Sequence, residues 1–253
     1  MCFQHAIRLL TLVFLSTTSA IAHAETTLIA VAANFTKPMT EIAAEFEKST
    51  GHTAQLSFGS SGKFVSQIEN GAPFEIFLSA DDKNPIKLQQ DDVAIAESRF
   101  TYALGKLVLW SATANFVDAQ GQVLSKGGFK HLALADPKLA PYGTAAIQVL
   151  KNVNVLDTLQ PLFVEGENIA QTYQFVSTGN AELGFVALSQ VSENGKITSG
   201  SAWHVPDNLY SPIRQDAILL KTGEHNPAAL ALMQFLKSPK ATEIIQNYGY
   251  ELP

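Results

Sequence analysis

Thr27-Leu28-Ile29-Ala30-Val31-Ala32-Ala33-Asn34-Phe35-Thr36 is the stretch on which the fold turns. Its first six residues carry no charge and are mostly apolar, the pattern of a strand buried on both faces. The helical pattern that follows spans Phe35–Ser49, with Pro38 in its first turn, Ile42 and Phe46 on the apolar face and Gly51 as the stop. The same cycle recurs at once. Thr53–Ser57 reads as a strand and Ser61–Asn70 as a helix closed by Gly71. Phe74–Leu78 reads as a strand and Asp81–Gln89 as a helix. Alternation of this kind predicts an α/β fold built on a mostly parallel sheet flanked by helices.

A second set of elements begins near Tyr102. Ala103–Trp110 reads as an apolar strand, Leu132–Ala135 as a short strand, and Tyr142–Leu150 and Asn168–Thr178 as helices, with Leu183–Ala187 as another buried strand. Pro206 and Pro212 flank Asp207–Ser211, a return crossing to the first sheet. Ala217–Leu220 rejoins that sheet, and helices Pro227–Leu236 and Ala241–Tyr248 close the chain. The expected architecture has two lobes joined by two hinge crossings. Lobe 1 comprises residues 25–104 plus 212–253 and lobe 2 residues 105–211, with a cleft between them. Ligands of open α/β sheets sit beyond the carboxyl ends of strands, here the loops after Ala32, Ser57, Ala135 and Val186.

Two of those loops share a chemistry. Ala33-Asn34-Phe35 and Phe58-Gly59-Ser60-Ser61-Gly62 each place short polar side chains and free backbone N–H groups at a helix start. Such a joint holds a compact anion without a cationic side chain. The chain has 17 Lys and Arg against 23 Asp and Glu, a formal net charge of −6. That balance, with no basic patch interleaved with aromatics, argues against nucleic acid as a partner. Local backbone dipoles still outweigh distant, screened surface charge at a small site.

Residues 1–24 read as a secretory signal peptide. His5 and Arg8 precede an apolar run from Leu9 to Ala22, and Ala22-His23-Ala24 is a small-x-small cleavage site. Cleavage removes Cys2, the single cysteine, and Arg8, so the charge of −6 becomes −7. The mature chain then lacks thiol chemistry and disulfides.

The order and spacing of several motifs resemble those of the molybdate-binding periplasmic proteins of molybdate ABC transporters. The resemblance rests on Ala32-Ala33-Asn34-Phe35-Thr36, on Ser57-Phe58-Gly59-Ser60-Ser61-Gly62, and on the run from Ile68 to Asp81 that contains Gly71-Ala72-Pro73 and Ser79-Ala80-Asp81. It continues at Leu134-Ala135-Asp136-Pro137, Pro141-Tyr142-Gly143 and Ala181-Glu182-Leu183-Gly184-Phe185-Val186-Ala187. It implies a two-lobed periplasmic binding protein that captures molybdate, and tungstate, between its lobes. Delivery would be to an inner-membrane ABC permease with a cytoplasmic ATPase. It also implies a monomer in the periplasm, with no cofactor and with molybdenum or tungsten bound only as the oxyanion.

By the same resemblance the oxyanion ligands fall at Asn34, Ser61, Tyr142 and Ile169. Ala33, Ser60, Ala187 and Tyr173 are candidate lining residues. Asn34 stands where the family commonly has serine, and its carboxamide is a substitute donor. Ala187 stands where some members have a tyrosine, a lost donor for which Tyr142 substitutes from across the cleft. Receptors for another small oxyanion, or a ligand sensor on the same fold, are the competing readings.

Catalysis is not expected. Asp81-Asp82, Asp91-Asp92 and Asp136 read as helix caps and a turn rather than a metal centre. His52, His131, His204 and His225 are scattered, and no Gly-x-Ser-x-Gly elbow is present.

Overall fold

The computed structural model describes residues 24–193 and 195–253, so the expected leader lies outside them apart from Ala24. The strands are β1 (Thr26–Ala32), β2 (Thr53–Gly59), β3 (Ile76–Leu78), β4 (Phe100–Gly105), β5 (Leu107–Ser111), β6 (Leu132–Ala135), β7 (Phe163–Gly166), β8 (Leu183–Ala187), the short β9 (Ser192–Glu193) and β10 (Lys196–Ile197), β11 (Ser201–His204) and β12 (Ile213–Leu219). The α-helices are α1 (Thr36–Thr50), α2 (Ser61–Glu69), α3 (Lys83–Gln90), α4 (Val123–Lys126), α5 (Pro141–Asn152), α6 (Leu156–Leu159), α7 (Ile169–Ser177), α8 (Leu188–Val191), α9 (Pro227–Phe235) and α10 (Pro239–Asn247).

Two five-stranded sheets carry the fold, ordered β2-β1-β3-β12-β4 and β11-β5-β8-β6-β7. Both are mixed, each with one reversed strand. In the first sheet β12 runs antiparallel to β3 and β4. In the second, β5 runs antiparallel to β8 and β11. The reversal comes from the crossings. The apolar run Ala103–Trp110, expected as one strand, breaks at Lys106 and passes from the edge of one sheet into the interior of the other. β11 returns the chain through residues 205–212 into β12. A helical βα crossover would have kept every strand parallel; a direct hand-over between sheets does not.

Local chemistry explains the elements. β1 is almost wholly buried and pairs in parallel on both sides, as its uncharged sequence requires. Met39, Ile42 and Phe46 make the buried face of α1, which ends where Gly51, at φ 77°, donates its N–H to Glu47. Helices α5, α9 and α10 start on a proline, and side chains of Asn226 and Ser238 cap the last two. Apolar clusters cover both faces of each sheet. One around Phe35, Met39 and Leu232 lies on one face of the first, and one around Phe64, Phe77 and Leu88 on the other. The cluster around Tyr142, Leu134 and Phe185 also takes in Ala32, Ala33 and Ala80 from the first half, so the halves meet there.

Candidate functional site

Where the halves meet, a partly open cavity with about 200 Å³ of atom-free space, some of it continuous with solvent, is lined by Ala32, Ala33, Asn34, Gly59, Ser60, Ser61, Ala80, Ala140, Pro141, Tyr142, Asn168 and Ile169. None of these side chains is charged. They sit beyond the carboxyl ends of β1, β2, β3, β6 and β7. Each group except Ala80 belongs to the start of a helix: Asn34 to the one-turn helix leading into α1, Ser61 to α2, Tyr142 to α5 and Ile169 to α7. First-turn N–H groups have no acceptor within their own helix. Each helix start also carries a partial positive charge, roughly half an elementary charge.

The four expected ligand residues are thus brought together, and so are Ala33 and Ser60. Ala187 and Tyr173 are not. Ala187 closes β8 inside the apolar cluster, and Tyr173 stacks on Trp110 at 5.4 Å between ring centroids. The fourth loop is therefore the one after β7, not the one after Val186. β7 was not legible in the sequence, being four residues long with Glu165 and Gly166 in it.

The hydroxyl groups are arranged as donors. Ser61 Oγ accepts the N–H of Ala80 at 3.0 Å, which leaves its own proton to be given elsewhere. Tyr142 Oη accepts from Gln215 Nε2 at 3.2 Å and is left in the same condition. Burial pushes the Tyr142 phenol well above its ordinary value, so it stays protonated. Ser60 Oγ is buried and meets no partner among the described residues. Ser61 does not cap α2; Ser60 occupies that position, also without a side-chain cap bond.

Asn34 differs from expectation. Its Nδ2 donates to Gln215 Oε1 at 2.8 Å and to Tyr250 Oη at 2.9 Å, which engages both carboxamide hydrogens. Its main-chain carbonyl accepts from Ser189 Oγ at 2.9 Å and Tyr250 Oη at 2.8 Å. The carboxamide expected as a substitute donor is thus engaged in ties to Gln215 and Tyr250, and of the Asn34 donors only the main-chain N–H is left for a ligand. At α7, Asn168 Oδ1 caps the N–H groups of Ala170 and Gln171, while Gln190 Nε2 holds the Ile169 carbonyl at 2.9 Å.

Gln215, Tyr250, Ser189 and Gln190 escaped the sequence reading. The only signal was a polar pair, Gln215-Asp216, beside an apolar strand; Tyr250 and Ser189 carry none. The acidic pairs do not form a metal centre. Among the described residues no group of three or more His, Cys, Asp and Glu is placed to hold a metal ion. Asp81 Oδ1 caps Asn84 and Asp136 Oδ1 closes a turn onto Lys138. Asp91 was expected at a helix start but follows the end of α3, where it pairs with Lys87 at 2.7 Å. Lys63 pairs with Glu167 at 2.6 Å between the α2 and α7 ends of the two halves, outside the cavity lining. No helix among the described residues is long and apolar enough to cross a membrane.

The sequence profile of the bacterial extracellular solute-binding proteins matches residues 27–251. The chain belongs to this family. As a solute-binding protein it is not an enzyme, in line with the sequence reading. Among its relatives is the molybdate-binding protein ModA of Azotobacter vinelandii, 60% identical over 231 residues, which are 91% of this chain and 92% of that one. ModA of Rhodobacter capsulatus is 55% identical over 223 residues, 88% of this chain and 87% of the relative. A solved structure, the Azotobacter vinelandii periplasmic molybdate-binding protein, superimposes with a TM-score of 0.87 at 44% identity. The match covers 90% of this chain and 99% of the other. The α/β periplasmic binding protein fold is the one expected, its two sheets mixed because each mostly parallel set carries one reversed strand.

Proposed function

We propose that this chain is the molybdate receptor of an ABC transporter and that tungstate binds the same site. The observation that carries the reading is a cavity lined only by uncharged residues and fed by four helix starts. The relatives named for molybdate support the choice of anion. Molybdate is a tetrahedral dianion that offers only acceptors near neutral pH, so its receptor needs converging donors and no carboxylate. Ser61 and Tyr142 supply hydroxyl protons, and the main chains of Asn34, Ser61, Tyr142 and Ile169 supply N–H groups. A ligand oxygen bearing hydrogen meets another hydrogen there, which disfavours phosphate. Sulfate is smaller, so donors set for molybdate reach it poorly. Each charge-assisted bond contributes roughly 1.5–3 kcal/mol, and the bonds do not add, because closure and ordering oppose them.

Lobe 1 comprises residues 25–104 plus 212–253 and lobe 2 residues 105–211. Ligand that touches both lobes favours the closed form by its differential affinity, and the closed outer surface is what an inner-membrane permease with its cytoplasmic ATPase recognises. Residues 1–24 direct export to the periplasm and are removed, and the mature protein acts as a monomer. Calorimetric titration with molybdate, tungstate, sulfate and phosphate tests the reading. One saturable site for the first two and little heat from the others is the expected result. Absent molybdate binding, or equal binding of sulfate, refutes it.

A further inference from the structure

The cavity is backed by a chain of buried polar groups that begins at a main-chain carbonyl. That origin sets the direction of the bonds that lead from it to Tyr142. The Asn34 carbonyl only accepts, so Tyr250 Oη at 2.8 Å donates to it. Having spent its one proton, Tyr250 Oη accepts from Asn34 Nδ2 at 2.9 Å. The second hydrogen of that amide goes to Gln215 Oε1 at 2.8 Å, and Tyr102 Oη lies 3.0 Å from the same oxygen. With its oxygen so held, Gln215 turns Nε2 toward Tyr142 Oη at 3.2 Å. Tyr142 therefore accepts from Gln215, and its own proton is left to be given, to a ligand in the cavity or, without one, to the neighbouring Tyr250 oxygen.

Two features of the backbone serve this bond. The pairing of β12 with β4 slips at Gln215 and Asp216: Gln215 faces Ala103, Asp216 faces Thr101, and Tyr102 is left over. Such a bulge re-aims side chains, and here Gln215 and Tyr102 meet. Gly105, at the end of β4, leaves open the space in which the bond lies. A Cβ there would fall 2.2 Å from Tyr142 Oη and 2.6 Å from Gln215 Nε2.

We infer that Gln215 is a positioning residue for oxyanion binding, acting through Tyr142 by compelling its hydroxyl to donate. The inference rests on the proposed molybdate site but adds a residue that touches no ligand. A Gln215 that merely filled space would act on affinity independently of the Tyr142 hydroxyl.

A double-mutant cycle separates the two roles. Gln215→Met and Gln215→Glu are each made alone and together with Tyr142→Phe, and molybdate affinity is measured by calorimetry. Thermal melting without ligand, read alongside, shows whether each variant is folded. Gln215→Met is expected to weaken binding by about tenfold or more when Tyr142 is present, and by about twofold or less once its hydroxyl is gone, the mark of one coupled unit. Gln215→Glu takes the Tyr142 proton for its carboxylate. It is expected to weaken binding further than Gln215→Met, with a larger share of its effect depending on the Tyr142 hydroxyl. Equal losses with and without that hydroxyl, or no loss from Gln215→Met, overturn the inference while leaving the molybdate reading intact. A wild-type protein that binds no molybdate overturns both.

Discussion

Ser61→Ala gives two separable losses. Ser61 is fully enclosed, and its Oγ accepts the Ala80 N–H at 3.0 Å. Removing the hydroxyl leaves that N–H buried without a partner, at a cost of about 1–3 kcal/mol to the ligand-free protein. The lost donor to a dianion is worth roughly 1.5–3 kcal/mol more in the complex, a factor of about 10 to 150 in affinity. The two terms show in different assays. Chemical or thermal unfolding without ligand reads the first, and titration calorimetry reads the second. In melts at fixed molybdate concentration the gain in stability on adding ligand shrinks as well, because that gain follows the ratio of ligand to Kd. A variant that melts lower yet keeps wild-type affinity refutes the role of Ser61 as a ligand, and leaves it only as the acceptor for Ala80.

Gly62 donates its N–H to the Leu139 carbonyl across the cleft at 2.9 Å, and a Cβ on it would lie 3.1 Å from that oxygen and 3.2 Å from Leu139 Cα. Gly62→Val is expected to weaken molybdate binding and reduce compaction in small-angle scattering, without lowering the ligand-free melting temperature; unchanged affinity contradicts it. The pair Lys63–Glu167 is half exposed on both sides, where such pairs are worth about 0–1 kcal/mol. Lys63→Met is expected to change affinity by about threefold or less, with the effect fading in salt; a larger, salt-insensitive loss contradicts that. Burial holds the Tyr142 phenol well above its usual range and pushes Tyr250 up to about 12. Raised values in the folded state mean that the unfolded chain loses these protons first. Stability is then fully present below about pH 10 and is lost as pH climbs through the folded values. Affinity is expected to stay flat up to about pH 10 as far as tyrosine ionisation is concerned. A loss of affinity tracking phenolate absorbance between pH 9 and 10 contradicts the assignment.

The repeated strand–helix alternation was legible in the sequence because buried parallel strands are continuous apolar runs and their helices keep a 3.6-residue period. What escaped lies where that contrast is weak. β7 and β11 are four residues each and mix polar with apolar residues. Ala103–Trp110 reads as one apolar run because its break at Lys106 is marked only by Gly105 and that single charge, which fit a hinge as well as a continuous strand. β12 begins at Ile213, four residues before the expected start. Gln215 and Asp216 look wrong for a buried strand until their partners are known, Asn34 and Tyr142 for one, Arg99 and Thr101 for the other. The site divides in the same way. The proposed ligand residues Asn34, Ser61, Tyr142 and Ile169 sit at helix starts with recognisable short motifs. Those that orient them, Gln215, Tyr250 and Ser189, arrive from positions 155 to 216 residues from Asn34, and no local pattern announces a contact of that range.

A crystal structure of the protein grown with molybdate, with data collected at the molybdenum absorption edge, tests the central claim most directly. The expected result is one anomalous peak inside the cavity, its oxygens within hydrogen-bond distance of Ser61 Oγ, Tyr142 Oη and the N–H groups of Asn34 and Ile169. A peak at a different place, or one whose oxygens are held by lysine or arginine side chains, contradicts it.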